Sequence, residues 1–195
     1  MSTSRALPVL RTPDLRAAHD AARRLLALAV PMDGFLVEGE TTARTPAEAR
    51  RLFAAFPTGR GATPWPNHPR LGYEEVRGLF DAGDPRFDGL GPLEFQAKAE
   101  PPGGFEELFL DVVGSGPGSL SWTHFFWPAV PELGLEPRAK DTHLQIAVNS
   151  RNVDFDRPSD DHTLFVHFRG GDLERARWLA RQVGLEPVGP EECGW

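Results

Sequence analysis

One cysteine, Cys193, occurs in 195 residues. An internal disulfide is therefore impossible, as is a zinc site built on paired thiolates. Lysine is scarce too: Lys98 and Lys140 are the only ones, and the remaining positive charge is arginine. With abundant Ala, Gly and Pro, that bias suggests a GC-rich bacterial genome. There is no basic excess. Lys and Arg total 21 against 28 Asp and Glu, a formal net charge of −7. That balance argues against unspecific capture of nucleic acid or of an anionic membrane. No apolar run approaches the roughly 20 residues of a membrane-spanning helix. The opening MSTSRALPVL has no long apolar stretch, so a cytoplasmic location is expected. HExxH, HxH, CxxC and GxSxG spacings are absent, and the Gly114-Ser115-Gly116 turn has no P-loop lysine after it.

What is present fits a folded protein: 40% apolar and 25% charged residues. The length suits one domain, 1–195, with the loop-rich stretch 57–92 as the only candidate internal boundary. Trp65 and His68 fall in that loop. The expected fold class is α+β: a mainly antiparallel β-sheet with helices packed on one face.

The stretch 141–188 carries the clearest pattern. Leu144, Ile146 and Val148 alternate with His143, Gln145 and Ala147. Leu164, Val166 and Phe168 alternate with Thr163, Phe165 and His167. Each strand therefore has an apolar face and a mixed face. A simple hairpin places His143 near His167 and Gln145 near Phe165. A helix follows from Asp172, with Leu173, Ala176, Leu179, Ala180 and Val183 on one stripe and Arg175, Arg177 and Arg181 largely outside it. That stripe should cover Leu144, Ile146, Leu164 and Val166. A short strand is expected at 185–188.

Elsewhere, 6–10 and 34–38 read as strands. Thr12-Pro13 opens a helix bearing Leu15, Ala18, Ala22, Leu25 and Leu26. Thr45-Pro46-Ala47-Glu48 is a capping box with Pro at the first helical position. A short helix spans 73–82. The segments 93–100 and 105–113 flank Pro101-Pro102-Gly103-Gly104 and read as a hairpin, with Lys98 opposite Glu107. Between the hairpins, the start of 114–140 is expected to be a flexible turn. The aromatic cluster of Trp122, Phe125, Phe126 and Trp127 is expected to be a core plug.

The chemistry-bearing candidates share the mixed faces of the two hairpins. They are His143, Gln145, Thr163, Phe165 and His167 from one, and Glu94, Glu107 and Asp111 from the other, with His162 nearby. His143 and His167 plus a carboxylate suit a divalent metal with open positions for substrate; Gln145 and Thr163 are the groups available to orient the imidazoles. The same face without a metal suits a binding module. Its partner would be a basic protein, as for an inhibitor or immunity protein, or a small ligand. This second reading is preferred because no complete catalytic signature is present. The acidic run Asp154, Asp156, Asp160 and Asp161 lacks calcium-loop spacing and reads as a solvated turn.

The segment 166–187, VHFRGGDLERARWLARQVGLEP, resembles the opening strand–helix of the vicinal oxygen chelate (glyoxalase-like) family. That resemblance covers about a tenth of the chain. It implies metal-binding His and Glu on a cupped sheet. The family's module continues with three further strands.

Overall fold

Leu144, Ile146 and Val148, with Leu164, Val166 and Phe168, are fully or almost fully buried on one side of two neighbouring strands. These are β6 (Leu144–Val148) and β7 (His162–Arg169) in the computed structural model, which describes residues 4–63 and 71–194. Trp65 and His68 lie outside the described residues. The pair is antiparallel, with Gln145 opposite Phe165 as the alternation predicts. One step further, the His167 N–H donates to the His143 carbonyl at 2.9 Å.

Six more strands extend this pair: β1 (Ser4–Thr12), β2 (Val30–Ala43), β3 (Arg60–Ala62), β4 (Leu93–Ala99), β5 (Gly118–Phe126) and β8 (Glu192–Cys193). Their order is β3-β4-β2-β5-β6-β7-β1-β8, and neighbours are antiparallel. The helices are α1 (Leu15–Leu26), α2 (Pro46–Ala55), α3 (Tyr73–Asp81), α4 (Phe105–Val112) and α5 (Leu173–Gln182). All bury apolar stripes against one side of the sheet, in a core that joins Leu25, Phe53, Val76, Phe109 and Leu179 to Val37, Phe95, Trp122, Ile146 and Val166. The chain is therefore an α+β fold with helices on one face. Within 57–92, β3 pairs with β4, and Val76 and Phe87 enter that same core.

Several expectations need correction. Residues 105–113 form no strand; they are α4. Phe105 and Phe109 sit one turn apart on the buried side, and Glu106 and Glu107 occupy the first turn, where the helix dipole favours acids. Lys98 accordingly pairs in register with Glu38 on β2, not with Glu107. The turn expected at the start of 114–140 is confined to the residues before Gly118, and 118–126, where no strand was expected, form β5, which sits between β2 and β6. Trp122, Phe125 and Trp127 are fully buried, which fits the core reading of the aromatic cluster. The extra C-terminal strand is β8, not 185–188. α5 lies over β7 and β1 rather than over Leu144 and Ile146 of β6, and α1 covers β6 together with part of β7. Arg175 is buried on α5, where its guanidinium donates to the carbonyls of Pro128 and Glu136.

Capping follows local chemistry. Asp14, rather than Thr12, caps α1 and accepts from the N–H groups of Arg16 and Ala17 at 2.9 and 3.1 Å. The Thr45/Glu48 capping box is present on α2, with bonds of 3.2 and 3.1 Å. Glu48 reaches further, to the Ser115 N–H at 3.0 Å, and ties the start of α2 to the segment entering β5. Gly39 on β2 is required by a close approach: a Cβ there would lie 2.6 Å from the Phe109 ring of α4.

Candidate functional site

Side chains paired across strands point to the same side, so the register defines the face opposite the helices. It carries Glu94, Gln96 and Lys98 of β4, Glu38 and Glu40 of β2, and Ser119 and Ser121 of β5. It continues through Gln145 and Ala147 of β6 to Thr163, Phe165 and His167 of β7. The mixed faces of β4 and of the β6–β7 pair do lie on one sheet, but three strand steps apart. The structure then treats the two halves differently.

The half over β6, β7 and β1 is closed. The 149–161 loop lies across it. Gln145 Nε2 donates to the Val153 carbonyl at 2.9 Å, and the Thr163 hydroxyl donates to the Ser150 carbonyl at 3.0 Å. Val153 packs with Phe165, Ala147 and Ala6, and its N–H donates to the Glu192 carboxylate at 3.1 Å. Gln145, Thr163, Phe165 and His167 are consequently fully buried, and His143 nearly so.

Within this half the two histidines stack, ring centroids 3.5 Å apart with planes 28° from parallel. Because the Gln145 amide nitrogen already donates to Val153, its oxygen is the acceptor for His167 Nε2 at 2.9 Å, which assigns the ring proton to that nitrogen. Burial lowers His143 to about 4. Burial, and then the neighbouring His143, holds His167 well below the usual histidine range. Both rings are neutral near pH 7. Gln145 does orient an imidazole, as expected, whereas Thr163 is committed to the loop.

This geometry does not converge on an ion. Imidazole lone pairs lie in the ring plane, so stacked rings aim them side by side. Glu94 is on a distant strand. Glu107 and Asp111 are on α4, on the helix side of the sheet, where both are paired with Arg16. Among the described residues, no group of three or more His, Cys, Asp and Glu side chains is arranged to hold a metal. His162 accepts from the Asn149 N–H at 3.0 Å and closes the loop.

The half over β2, β4 and β3 is open. A cavity of about 240 Å³ is walled by Glu40, Thr42, Glu94 and Gln96, with Tyr73 and Phe155 at its sides. A second cavity, of about 420 Å³, is walled by Glu38, Thr58, Arg60, Gln96 and Lys98. Gln96 borders both, and its amide donates to the Glu38 carboxylate. Among the described residues, no Arg, Lys or His forms an ion pair with Glu38, Glu40 or Glu94. Partial burial, then repulsion from Glu38 and from Glu94, raises Glu40 from 4.5 to about 7.

Of the expected site residues, then, His143, Gln145, Thr163, Phe165 and His167 form one closed cluster, and Glu94 alone belongs to the open groove. Sequence reasoning missed Glu38 and Glu40. The signal was there: Glu38, Glu40 and Thr42 alternate with Val37, Gly39 and Thr41. Compared with known proteins, the chain matches no family model, no curated protein and no solved structure. The resemblance of 166–187 to a glyoxalase-like module extends to a strand followed by a helix, β7 and α5, and no further.

Among the described residues, no helix is long and apolar enough to cross a membrane.

Proposed function

We propose that this chain is a binding module that takes a cationic group of a basic protein partner into the open half of its polar sheet face. The observation that supports this reading most is Glu40, which lies beside Glu38 and Glu94 at the open groove and forms no ion pair among the described residues. Three carboxylates on adjacent strands repel one another, and a folded chain bears that cost whenever all are ionised. An arginine or lysine side chain entering the groove converts the repulsion into attraction. Perturbed ionisable groups in a cleft mark functional sites for this reason. Tyr73 and Phe155 flank the groove and suit the apolar stem and flat face of such a side chain. The net charge of −7 favours the approach of a basic partner.

The test uses a short arginine-rich peptide as probe. Titration calorimetry on the wild-type chain should give saturable binding that weakens as salt is raised. The triple variant Glu38→Gln, Glu40→Gln, Glu94→Gln should lose at least about tenfold in affinity, as expected when charge-assisted hydrogen bonds of ~1.5–3 kcal/mol are removed. Equal affinity for the triple variant, with its fold intact, would reject the groove as the binding surface. A matched triple variant of Asp154, Asp156 and Asp160 serves as the control for net charge.

A further inference from the structure

A different trough lies on the helix side, between α1 and the start of α4. Its polar end is a cavity of about 360 Å³ walled by His19, Arg23, Gly104, Glu106 and Glu107. Its apolar end is a cavity of about 290 Å³ walled by Leu26, Ala29, Phe35, Trp122 and Phe125. Arg23, Pro102 and Glu106 border both, so the two ends adjoin. Concave sites of this size with an apolar wall and a few converging polar groups are the usual form of small-molecule sites.

The charges at the polar end are unevenly committed. Glu107 is held by Arg16 at 2.9 Å. The single hydrogen bond that Glu106 makes among the described residues comes from the Trp122 indole at 3.1 Å. The Arg23 guanidinium is exposed and makes no hydrogen bond or ion pair among the described residues. Beside it, α4 starts at Gly104, φ 72°, with no side-chain cap on its first N–H groups. His19 is 4% exposed, lies 6.1 Å from Trp122 in a stacked arrangement, and has Glu107 Oε1 3.7 Å from its Nδ1, beyond hydrogen-bonding distance. This buried imidazole lines the cavity, has Glu107 as its charged neighbour and makes no hydrogen bond among the described residues, an observation independent of the helix start.

We propose that this trough is a second binding site, for a free α-amino acid with a large apolar side chain. Arg23 and the uncapped N–H groups of α4 receive the carboxylate. Glu106 and the imidazole of His19 accept from the ammonium; burial lowers His19, against the pull of Glu107 and Glu106, which keeps it a neutral acceptor. The side chain enters the apolar end, against the partly exposed Leu26, Ala29 and Phe35. An anion alone would meet Glu106, and a cation alone would meet Arg23. A zwitterion satisfies both.

Three probes separate the contributions: L-phenylalanine, phenethylamine, which lacks the carboxylate, and 3-phenylpropionate, which lacks the ammonium. Calorimetry or ligand-observed NMR should show saturable binding of L-phenylalanine and at least about tenfold weaker binding of either analogue. Arg23→Gln should weaken L-phenylalanine about tenfold and leave phenethylamine unchanged. Ala29→Phe, which fills the apolar end without altering charge, should abolish binding of all three. No saturable uptake of L-phenylalanine at millimolar concentration overturns the proposal. So does a single-charge analogue that binds as tightly as the amino acid, or an Arg23→Gln variant of unaltered affinity.

Discussion

At the scale of single residues, Glu40 and His143 link stability to pH in opposite senses. Glu40 is raised from 4.5 to about 7. Between those values the folded chain retains a proton that the unfolded chain releases, so stability falls as pH rises through the window, by at most about 3 kcal/mol. His143 is lowered from 6.5 to about 4. Between those values the unfolded chain takes up a proton that the folded chain refuses, so stability falls as pH drops, by a similar ~3 kcal/mol. His167 acts in the same direction as His143. Glu40→Gln should therefore be more stable than the wild type at pH 8, by about 1–3 kcal/mol, and equal to it near pH 4, where Glu40 is protonated in both states. Urea denaturation at the two pH values measures this; an advantage of the same size at both would show that the substitution acts through something other than charge. Gln145 offers a second residue-scale test. It joins His167 to the Val153 carbonyl inside the closed half. Gln145→Ala should cost about 2–4 kcal/mol, because buried hydrogen bonds to the Val153 carbonyl, the His167 ring and the Ser119 hydroxyl are lost at once. A loss below about 0.5 kcal/mol would mean that the loop is not anchored there.

At the scale of elements, the contact between α4 and β2 is set by Gly39. A Cβ at that position would sit 2.6 Å from the Phe109 ring. Gly39→Ala should push α4 off the sheet and lower stability by about 1–3 kcal/mol; a thermal melt unchanged from the wild type would contradict the close approach. The same element shows where the sequence was hard to read. Leu108, Leu110 and Val112 alternate like a strand, while Phe105 and Phe109 repeat like a helix, and a short segment satisfies both periods. Gly103-Gly104 before it suggested a tight turn between strands, but the chain uses their positive φ to enter a helix. Glu106 and Glu107 in the first turn were the deciding signal. Once α4 is a helix, Glu107 and Asp111 leave the sheet and pair with Arg16. By contrast, the β6–β7 register, α5 and the capping box of α2 were legible, because each rests on a run long enough for one period or on a cap pattern with its own geometry. β5 was hidden behind Gly114–Gly118, whose glycines read as a turn although Gly118 already belongs to the strand: a Cβ on it would lie 2.2 Å from the Glu40 carbonyl.

At the scale of the whole molecule, the polar sheet face is divided into a half sealed by the 149–161 loop and a half left open between β2 and β4. The sequence marked the face but not this division, because no local pattern announces where a loop will lie. His143 and His167 belong to the sealed half, where Gln145 orients the His167 ring, and the groove of Glu38, Glu40 and Glu94 is the open half to which the proposed function assigns a partner. Capture of a cation in that groove has a consequence beyond affinity. Glu40 is pushed up to about 7, so it is partly protonated near neutral pH, and a bound guanidinium or ammonium group favours its ionised form. Binding should therefore expel a fraction of a proton per complex at pH 7, falling as pH rises. The direct measurement is calorimetry of the arginine-rich peptide at pH 7 in two buffers with different ionisation enthalpies. The expected result is a buffer-dependent binding enthalpy equivalent to that proton release, abolished in Glu40→Gln; an enthalpy identical in both buffers, or a dependence that survives Glu40→Gln, would contradict cation capture at this groove.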